Sequence, residues 1–201
     1  MEHMLFAKGY RRIAGMDEAG RGALAGPVVA AAVILPDSME FEWMGQVRDS
    51  KMLTEEERED IYRLIQGADI EIGVGVVPPQ VIDNINILNA TRQAMKLALQ
   101  GLYSPPDYVL TDAVFLRRLS MPQKGIIKGD RDVLTIACAS IVAKVTRDHI
   151  MTELDLAYPH YGFCRHKGYG TREHLQCLQK YGACEIHRFT FAPVRNLSRL
   201  I

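Results

Sequence analysis

Apolar residues run without a break over residues 27–35 (PVVAAAVIL), as expected for a strand covered on both faces. Ahead of it, residues 12–16 read as a short strand ending at Asp17. Residues 70–77 (IEIGVGVV) alternate and predict a third strand, residues 107–111 (DYVLT) a fourth with Asp112 at its end, and residues 125–128 a short fifth. Between the strands the period changes. Thr54 and Glu57 have capping-box spacing and three glutamates fill the first turn, so a helix starts there; it runs to about Gln66, buries Ile61, Leu64 and Ile65, and stops at Gly67. Pro78-Pro79 opens a helical turn. Residues 86–102 form an amphipathic helix with Leu88, Thr91, Met95, Ala98 and Leu102 spaced for burial.

The longest helical pattern covers residues 131–158, with small apolar residues over 135–145, and ends at Pro159. A glycine-rich loop follows over 161–170, Thr171 caps a helix through Tyr181, and the tail near Pro193 adds one short helix. Residues 1–10 read as a loose start. Strands alternating with helices predict an α/β fold, a mixed sheet covered by helices, with a small C-terminal helical region. The expected division is 1–158 for the main domain and 159–201 for a helical region packed on it.

Composition narrows the picture. The 201 residues are 48% hydrophobic and 24% charged, enough for a full core, and the formal net charge is zero. Neutrality gives no overall sign of a polyanion partner, although residues 37–71 are acid-rich and the stretch from residue 141 onward is mildly basic. Cys138, Cys164, Cys177 and Cys184 include no C-x-x-C pair, so reduced thiols in a cytoplasmic protein are expected. No apolar run approaches the roughly 20 residues of a membrane span. Histidines 160, 166, 174 and 187 lie among the C-terminal cysteines, but their spacing fits no zinc class.

The candidate chemistry centres on residues 15–26 (GMDEAGRGALAG). Asp17 and Glu18 are delivered to a strand end, and a Gly-Arg-Gly turn follows at once. Adjacent side chains of a regular strand point to opposite faces, so Asp17 and Glu18 reach one site only if the strand ends or bulges between them. Asp112 ends another strand and Asp130 begins a helix. If the first and fourth strands are parallel neighbours, Asp17 and Asp112 meet and Asp130 can join them. Clustered carboxylates repel, and hard divalent cations such as Mg²⁺ or Mn²⁺ neutralise them. Read singly, Asp112 also fits a turn residue, and Asp130, after a glycine and before a helix, also fits an N-cap.

Six stretches together resemble the ribonuclease HII family: residues 15–26, 49–53 (DSKML), 110–113 (LTDA), 128–130 (KGD), 136–148 (IACASIVAKVTRD) and 166–171 (HKGYGT). The resemblance implies a ribonuclease-H-like fold and a two-metal endonuclease using Mg²⁺ or Mn²⁺. It would cleave the RNA strand of RNA–DNA hybrids, and duplex DNA 5′ of an embedded ribonucleotide, leaving 5′-phosphate and 3′-hydroxyl ends. The family's metal ligands match Asp17, Glu18, Asp112 and Asp130. Its Gly-Arg-Gly motif matches Gly20, Arg21 and Gly22, whose backbone would read the 2′-hydroxyl, and its tyrosine matches Tyr169, which would pack on the next sugar. Ser50, Lys51, Ser140, Lys144 and Arg147 are candidates for holding phosphates, with a plain surface role open for each. A monomer is expected. The chain departs mildly from the family pattern at Arg131-Asp132, an extra charged pair beside Asp130.

Overall fold

The computed structural model of the protein describes residues 1–36, 42–47 and 52–197. In chain order the elements are α1 (Glu2–Ala7), β1 (Ile13–Ala19), β2 (Val28–Ile34), a 3₁₀ turn (Glu42–Gln46), α2 (Glu55–Gly67), β3 (Glu71–Val77), α3 (Pro79–Ile85) and α4 (Ile87–Gln100). There follow β4 (Tyr108–Asp112), β5 (Gln123–Ile126), α5 (Gly129–Asp132), α6 (Leu134–Ala157), α7 (Phe163–His166), α8 (Arg172–Tyr181) and α9 (Ala192–Leu197). The five strands form one mixed sheet in the order β3-β2-β1-β4-β5. β2 is antiparallel to β1 and β3, whereas β1–β4 and β4–β5 are parallel.

Both faces are covered. Ala14, Met16, Ala30 and Ala32 pack against Ala90, Ala94, Met95 and Ala98 of α4. Ala31, Val33 and Leu35 pack against Ala137, Ala139, Ile141 and Val142 of α6. Every residue of β2 is buried, which explains its unbroken apolar run. In β3 Gly73, Gly75 and Val77 face the helix side: a Cβ at Gly73 or Gly75 would stand 2.0 Å from the Ala98 or Ala94 carbonyl oxygen, while Val74 and Val76 face outward. The backbone of α4 lies directly on that strand.

Several expectations are corrected. Residues 1–10 are not loose. Leu5 of α1 packs on Ile13, Leu110, Val133 and Ile136, and the buried Glu2 carboxylate accepts from the Thr135 amide (2.9 Å) and hydroxyl (3.2 Å). It thereby serves the amide-rich start of α6. Leu64 and Leu88 are 43% and 41% exposed, because each lies just off the packed stripe of its helix. The long helix is divided by extended backbone at Val133. The fifth strand spans Gln123–Ile126, two residues earlier than expected. The Thr54 capping box and the Thr171 cap are both formed as their spacing implies.

The C-terminal elements pack onto the segment linking β1 and β2. The Leu24 amide donates to the Gly168 carbonyl (2.8 Å), the Gly26 amide to Ile186 (2.8 Å), and the Arg188 amide to Leu24 (2.8 Å). The loop that carries Tyr169 is thus tied to the Gly-Arg-Gly turn. Among the described residues no helix is long and apolar enough to cross a membrane.

Candidate metal centre at the end of the sheet

The parallel pairing of β1 and β4 puts Met16 beside Thr111, so Asp17 and Asp112 emerge side by side where both strands finish. Asp130 arrives from α5. One carboxylate oxygen from each of the three lies within 4.8 Å of the others. Asp17 and Asp130 are only 7% and 3% exposed. The Glu18 amide donates to Asp17 Oδ1 (2.8 Å) and the Gly129 amide to Asp112 Oδ1 (3.0 Å), the latter fastening α5 to the end of β4. Burial first, and then the neighbouring Glu18 charge, push the Asp17 carboxyl up to about 7, against opposing hydrogen bonds from the Ser140 hydroxyl and the Glu18 amide. A buried carboxylate whose ionisation is resisted by its neighbours suits a hard divalent cation.

Asp130 is not an N-cap. It sits inside α5, whose cap position is Lys128, and α6 begins from Val133; neither position offers a side-chain cap. Its carboxylate is therefore turned to the other two acids rather than spent on a helix end.

Glu18 is placed differently from its sequence partner. β1 shows no bulge between Asp17 and Glu18, which pair in regular register with Ala31 and Ala30. The two side chains point to opposite faces, and Glu18 lies outside the tight group of three. It reaches the cavity wall, where Arg21 Nη1 donates to its Oε1 (2.9 Å). The expectation that the strand breaks between the two acids fails because the downstream glycines come after Ala19, too late to distort it.

A cavity of about 600 Å³ surrounds the acids, lined by Asp17, Glu18, Ala19, Gly20, Arg21, Gly22, Arg58, Asp112, Ser140, Lys144 and Tyr169. Gly20 has a positive φ of 91°, and a Cβ there would stand 2.0 Å from Arg147 Nε, so both backbone and packing require glycine. At Gly22 no atom lies within 4 Å of the ideal Cβ position; nothing in the chain itself demands glycine there. Lys144 forms an ion pair with Asp148, and burial lowers its pKa. Arg58, which sequence reading passed over, enters from the first turns of α2. Its own neighbours are ordinary helix charges, and the only available signal was the capping box that fixes the start of that helix. Ser50 and Lys51 lie outside the described residues.

Arg147 requires correction as a phosphate holder. It is fully buried, and its guanidinium donates from Nε to the Pro27 carbonyl (2.9 Å), from Nη1 to Lys167 (2.9 Å) and from Nη2 to Ala25 (3.1 Å). It also lies over the Tyr169 ring, 5.3 Å from the centroid. Arg188, which the sequence did not single out, is its counterpart: buried, and donating to the carbonyls of Arg21 (3.1 Å), Gly26 (2.9 Å) and Pro27 (3.0 Å). The two arginines hold the backbone on which the Gly-Arg-Gly turn and Tyr169 are mounted. The C-terminal histidines serve the same framework. His174 Nδ1 lies 3.0 Å from the Tyr169 carbonyl, its Nε2 lies 3.0 Å from His187 Nε2, and the Cys184 amide donates to His187 Nδ1 (3.0 Å). Among the described residues the three aspartates alone bring three ligand atoms within 4.8 Å of one another.

The family model for Ribonuclease HII matches residues 14–194. The Ribonuclease HII of Acetivibrio thermocellus is 52% identical over 190 residues, covering 94% of this chain and 73% of that protein. The Ribonuclease HII of Dehalococcoides mccartyi is 50% identical over 200 residues, covering 100% and 95%. Among solved structures, the ribonuclease H2 of Pyrococcus horikoshii superposes with a TM-score of 0.78 at 26% identity, covering 94% of this chain and 98% of that one. The RNase HII of Archaeoglobus fulgidus, solved in complex with PCNA, gives 0.76 at 25% identity, covering 90% and 95%.

Proposed function

The chain belongs to the ribonuclease HII family, metal-dependent endoribonucleases of RNA–DNA hybrids, and from that premise we propose that it also cuts duplex DNA 5′ of single embedded ribonucleotides. The supporting observation is the convergence of Asp17, Asp112 and Asp130 within 4.8 Å beside the backbone of Gly20, Arg21 and Gly22. In this reading the three aspartates hold divalent cations, Mg²⁺ or Mn²⁺, and Glu18 contributes from the adjoining wall on releasing Arg21. Bound there, such ions would supply the positive charge that acidifies an attacking water and stabilises the departing oxygen, and hydrolysis at that bond would leave 5′-phosphate and 3′-hydroxyl ends.

The chain's own groups choose the position of the cut. The 2′-hydroxyl both donates and accepts hydrogen bonds, and backbone amides and carbonyls at a side-chain-free turn approach it closely. Tyr169 offers a flat face that accepts deoxyribose on the next nucleotide and crowds an added hydroxyl. Lys144, Arg21 and Arg58 neutralise phosphates along the wall, and Ser140 orients Asp17. Residues 1–158 carry the chemistry, and residues 159–201 form the arm that presents Tyr169. The protein acts as a monomer in the cytoplasm.

The test uses a DNA duplex with one central ribonucleotide, incubated with and without Mg²⁺ and resolved on a denaturing gel. Wild-type protein is expected to cut once, on the 5′ side, only with the cation. Asp17→Asn should lower cleavage at least about 1000-fold while duplex binding persists, a loss of the order seen when charge stabilisation is removed from an active site. Wild-type rates in that variant would overturn the assignment. Binding without turnover by the wild type would leave a nucleic-acid-binding protein instead.

A further inference from the structure

A second charged surface begins where the acid site ends. The chain leaves Asp112 into residues 113–121, and this loop is held at several points. The Val114 amide donates to the Asp112 carbonyl (2.7 Å), and Leu116 is fully buried, its amide donating to the Gln123 side chain (2.8 Å) and its carbonyl accepting from it (2.6 Å). Arg92 Nε of α4 donates to the Phe115 carbonyl (3.2 Å). These anchors leave Arg117 and Arg118 projecting into solvent, Arg118 with a positive φ of 62°. With Ile85, Asn89, Arg92, Gln93 and Lys96 they line a groove of about 560 Å³. Four cations thus meet in a groove whose lining includes no carboxylate, and among the described residues no carboxylate pairs with Lys96, Arg117 or Arg118.

In a chain of zero net charge this concentration is not a by-product of basic composition. Arg92 and Lys96 stand four apart on one helix face, an arrangement that mildly destabilises a helix unless an anion lies between the two charges. Arg117 is five residues beyond Asp112, so its Cα is at most about 18 Å from that of Asp112. A duplex advances 3.4 Å per base pair, so about five base pairs span that distance. The loop's anchors also mean that little side-chain-bearing backbone must be ordered on binding.

We propose that this groove binds the phosphate backbone of the substrate duplex on the flank within about five base pairs of the cut, an interaction blind to sequence. The proposal rests on the nuclease reading above. Phosphate binding of this kind sets position and affinity rather than base preference. The surface therefore favours long substrates and leaves the chemical step alone.

The test is a triple variant, Lys96→Gln, Arg117→Gln and Arg118→Asn, the asparagine chosen because it tolerates the left-handed backbone. Duplexes with one ribonucleotide, one flank held at about 15 base pairs and the other at about 2 or about 15, made in both orientations, are bound in EDTA by fluorescence anisotropy and cleaved with Mg²⁺, over a salt series. For the long flanks, Kd and KM should rise about tenfold near 100 mM salt, and the slope of log K against log salt should flatten by about 2 to 3, roughly one for each phosphate no longer neutralised. The kcat, and every value in the orientation whose short flank removes the groove's phosphates, should match wild type. A long-flank salt slope unchanged in a variant that melts and turns over normally would overturn the proposal. If the triple variant melts early, Arg117→Gln alone should still flatten the slope by about 1, and no change there counts against it equally. The binding arm needs no catalysis, so loss of the nuclease reading would show as wild-type protein failing to cut, separately from the groove.

Discussion

Asp17, Asp112 and Asp130 crowd three carboxylates at the end of the sheet; Arg147 and Arg188 crowd two guanidinium groups beneath the segment joining β1 to β2. Both are clusters of like charge taken out of water, and the fold treats them in opposite ways. The arginines direct N–H donors from all three guanidinium nitrogens at backbone carbonyls of residues 21, 25, 26, 27 and 167. Burial lowers both arginine pKa values, that of Arg188 to about 9, which still leaves the cation intact at neutral pH. Among the aspartates, burial and the neighbouring Glu18 charge push Asp17 up to about 7. A buried charge whose every nitrogen faces a fixed backbone acceptor is framework. A buried charge that ionises against its surroundings is a place for a counter-ion, and hence for chemistry.

The largest effect that sharpens this contrast concerns Asp17 itself. Its folded pKa of about 7 exceeds the ordinary value of 3.8, so the folded state holds the proton longer. Without metal, its contribution should therefore weaken stability progressively as pH rises from about 4 to 7 and stay constant above. Asp17→Asn should be more stable than wild type at pH 8 by up to about 4 kcal/mol, with the difference vanishing near pH 4. Urea denaturation in EDTA across that range measures it, and equal stability at pH 8 would break the contrast. Saturating Mg²⁺, at about 100 times its Kd, should return about 2.7 kcal/mol to the wild type and little to the variant.

Arg188→Met tests the other side. It fills similar volume but leaves the Arg21, Gly26 and Pro27 carbonyls without these donors. A loss of about 3 kcal/mol is expected from unsatisfied buried acceptors, read by the same denaturation. Metal affinity of the aspartates should change much less than stability. A variant as stable as wild type would mean that the arginine is not a framework group.

The smallest effect per group concerns the histidines, which are buried uncharged. Burial lowers His174 and His187 to about 4 from an ordinary 6.5. Here the unfolded chain binds protons first, so their contribution is full above about 6.5 and is lost as pH falls toward 4. At pH 5 the loss should be about 2 kcal/mol for each histidine relative to pH 7.5. Hydrogen exchange should locate it in residues 159–197 before the sheet opens. Uniform opening of sheet and C-terminal region together would argue that the histidines are not the weak point.

Much of the site was legible because its residues announce themselves locally. An aspartate at the end of an apolar strand, a Gly-Arg-Gly turn and a capping box are short-range signals. Glu18 was harder to place, since its position depended on whether β1 kept its register for two more residues, and pairing with β2 decided that. Asp130 resembled a cap until the break at Val133 separated α5 from α6. Arg147 read as a helix-surface cation, because a sequence does not say what lies against a helix face. Arg188 carried no local signal, and Arg58 only the capping box ahead of it; their roles come from residues more than a hundred positions away for Arg188, and from packing around α2 for Arg58.

By itself the sequence determined the elements, the alternation of strands and helices, the family, and the residue types at the ends of β1 and β4. Those follow from periodicity, turn chemistry and short motifs, which act over a few residues. Only the tertiary structure decided which acids share one volume, which arginines are sealed against carbonyls, and where cations gather beside the loop after Asp112. The reason is that proximity between distant segments, and the burial that sets the cost of a charge, come into being only when the sheet is assembled and its faces are covered.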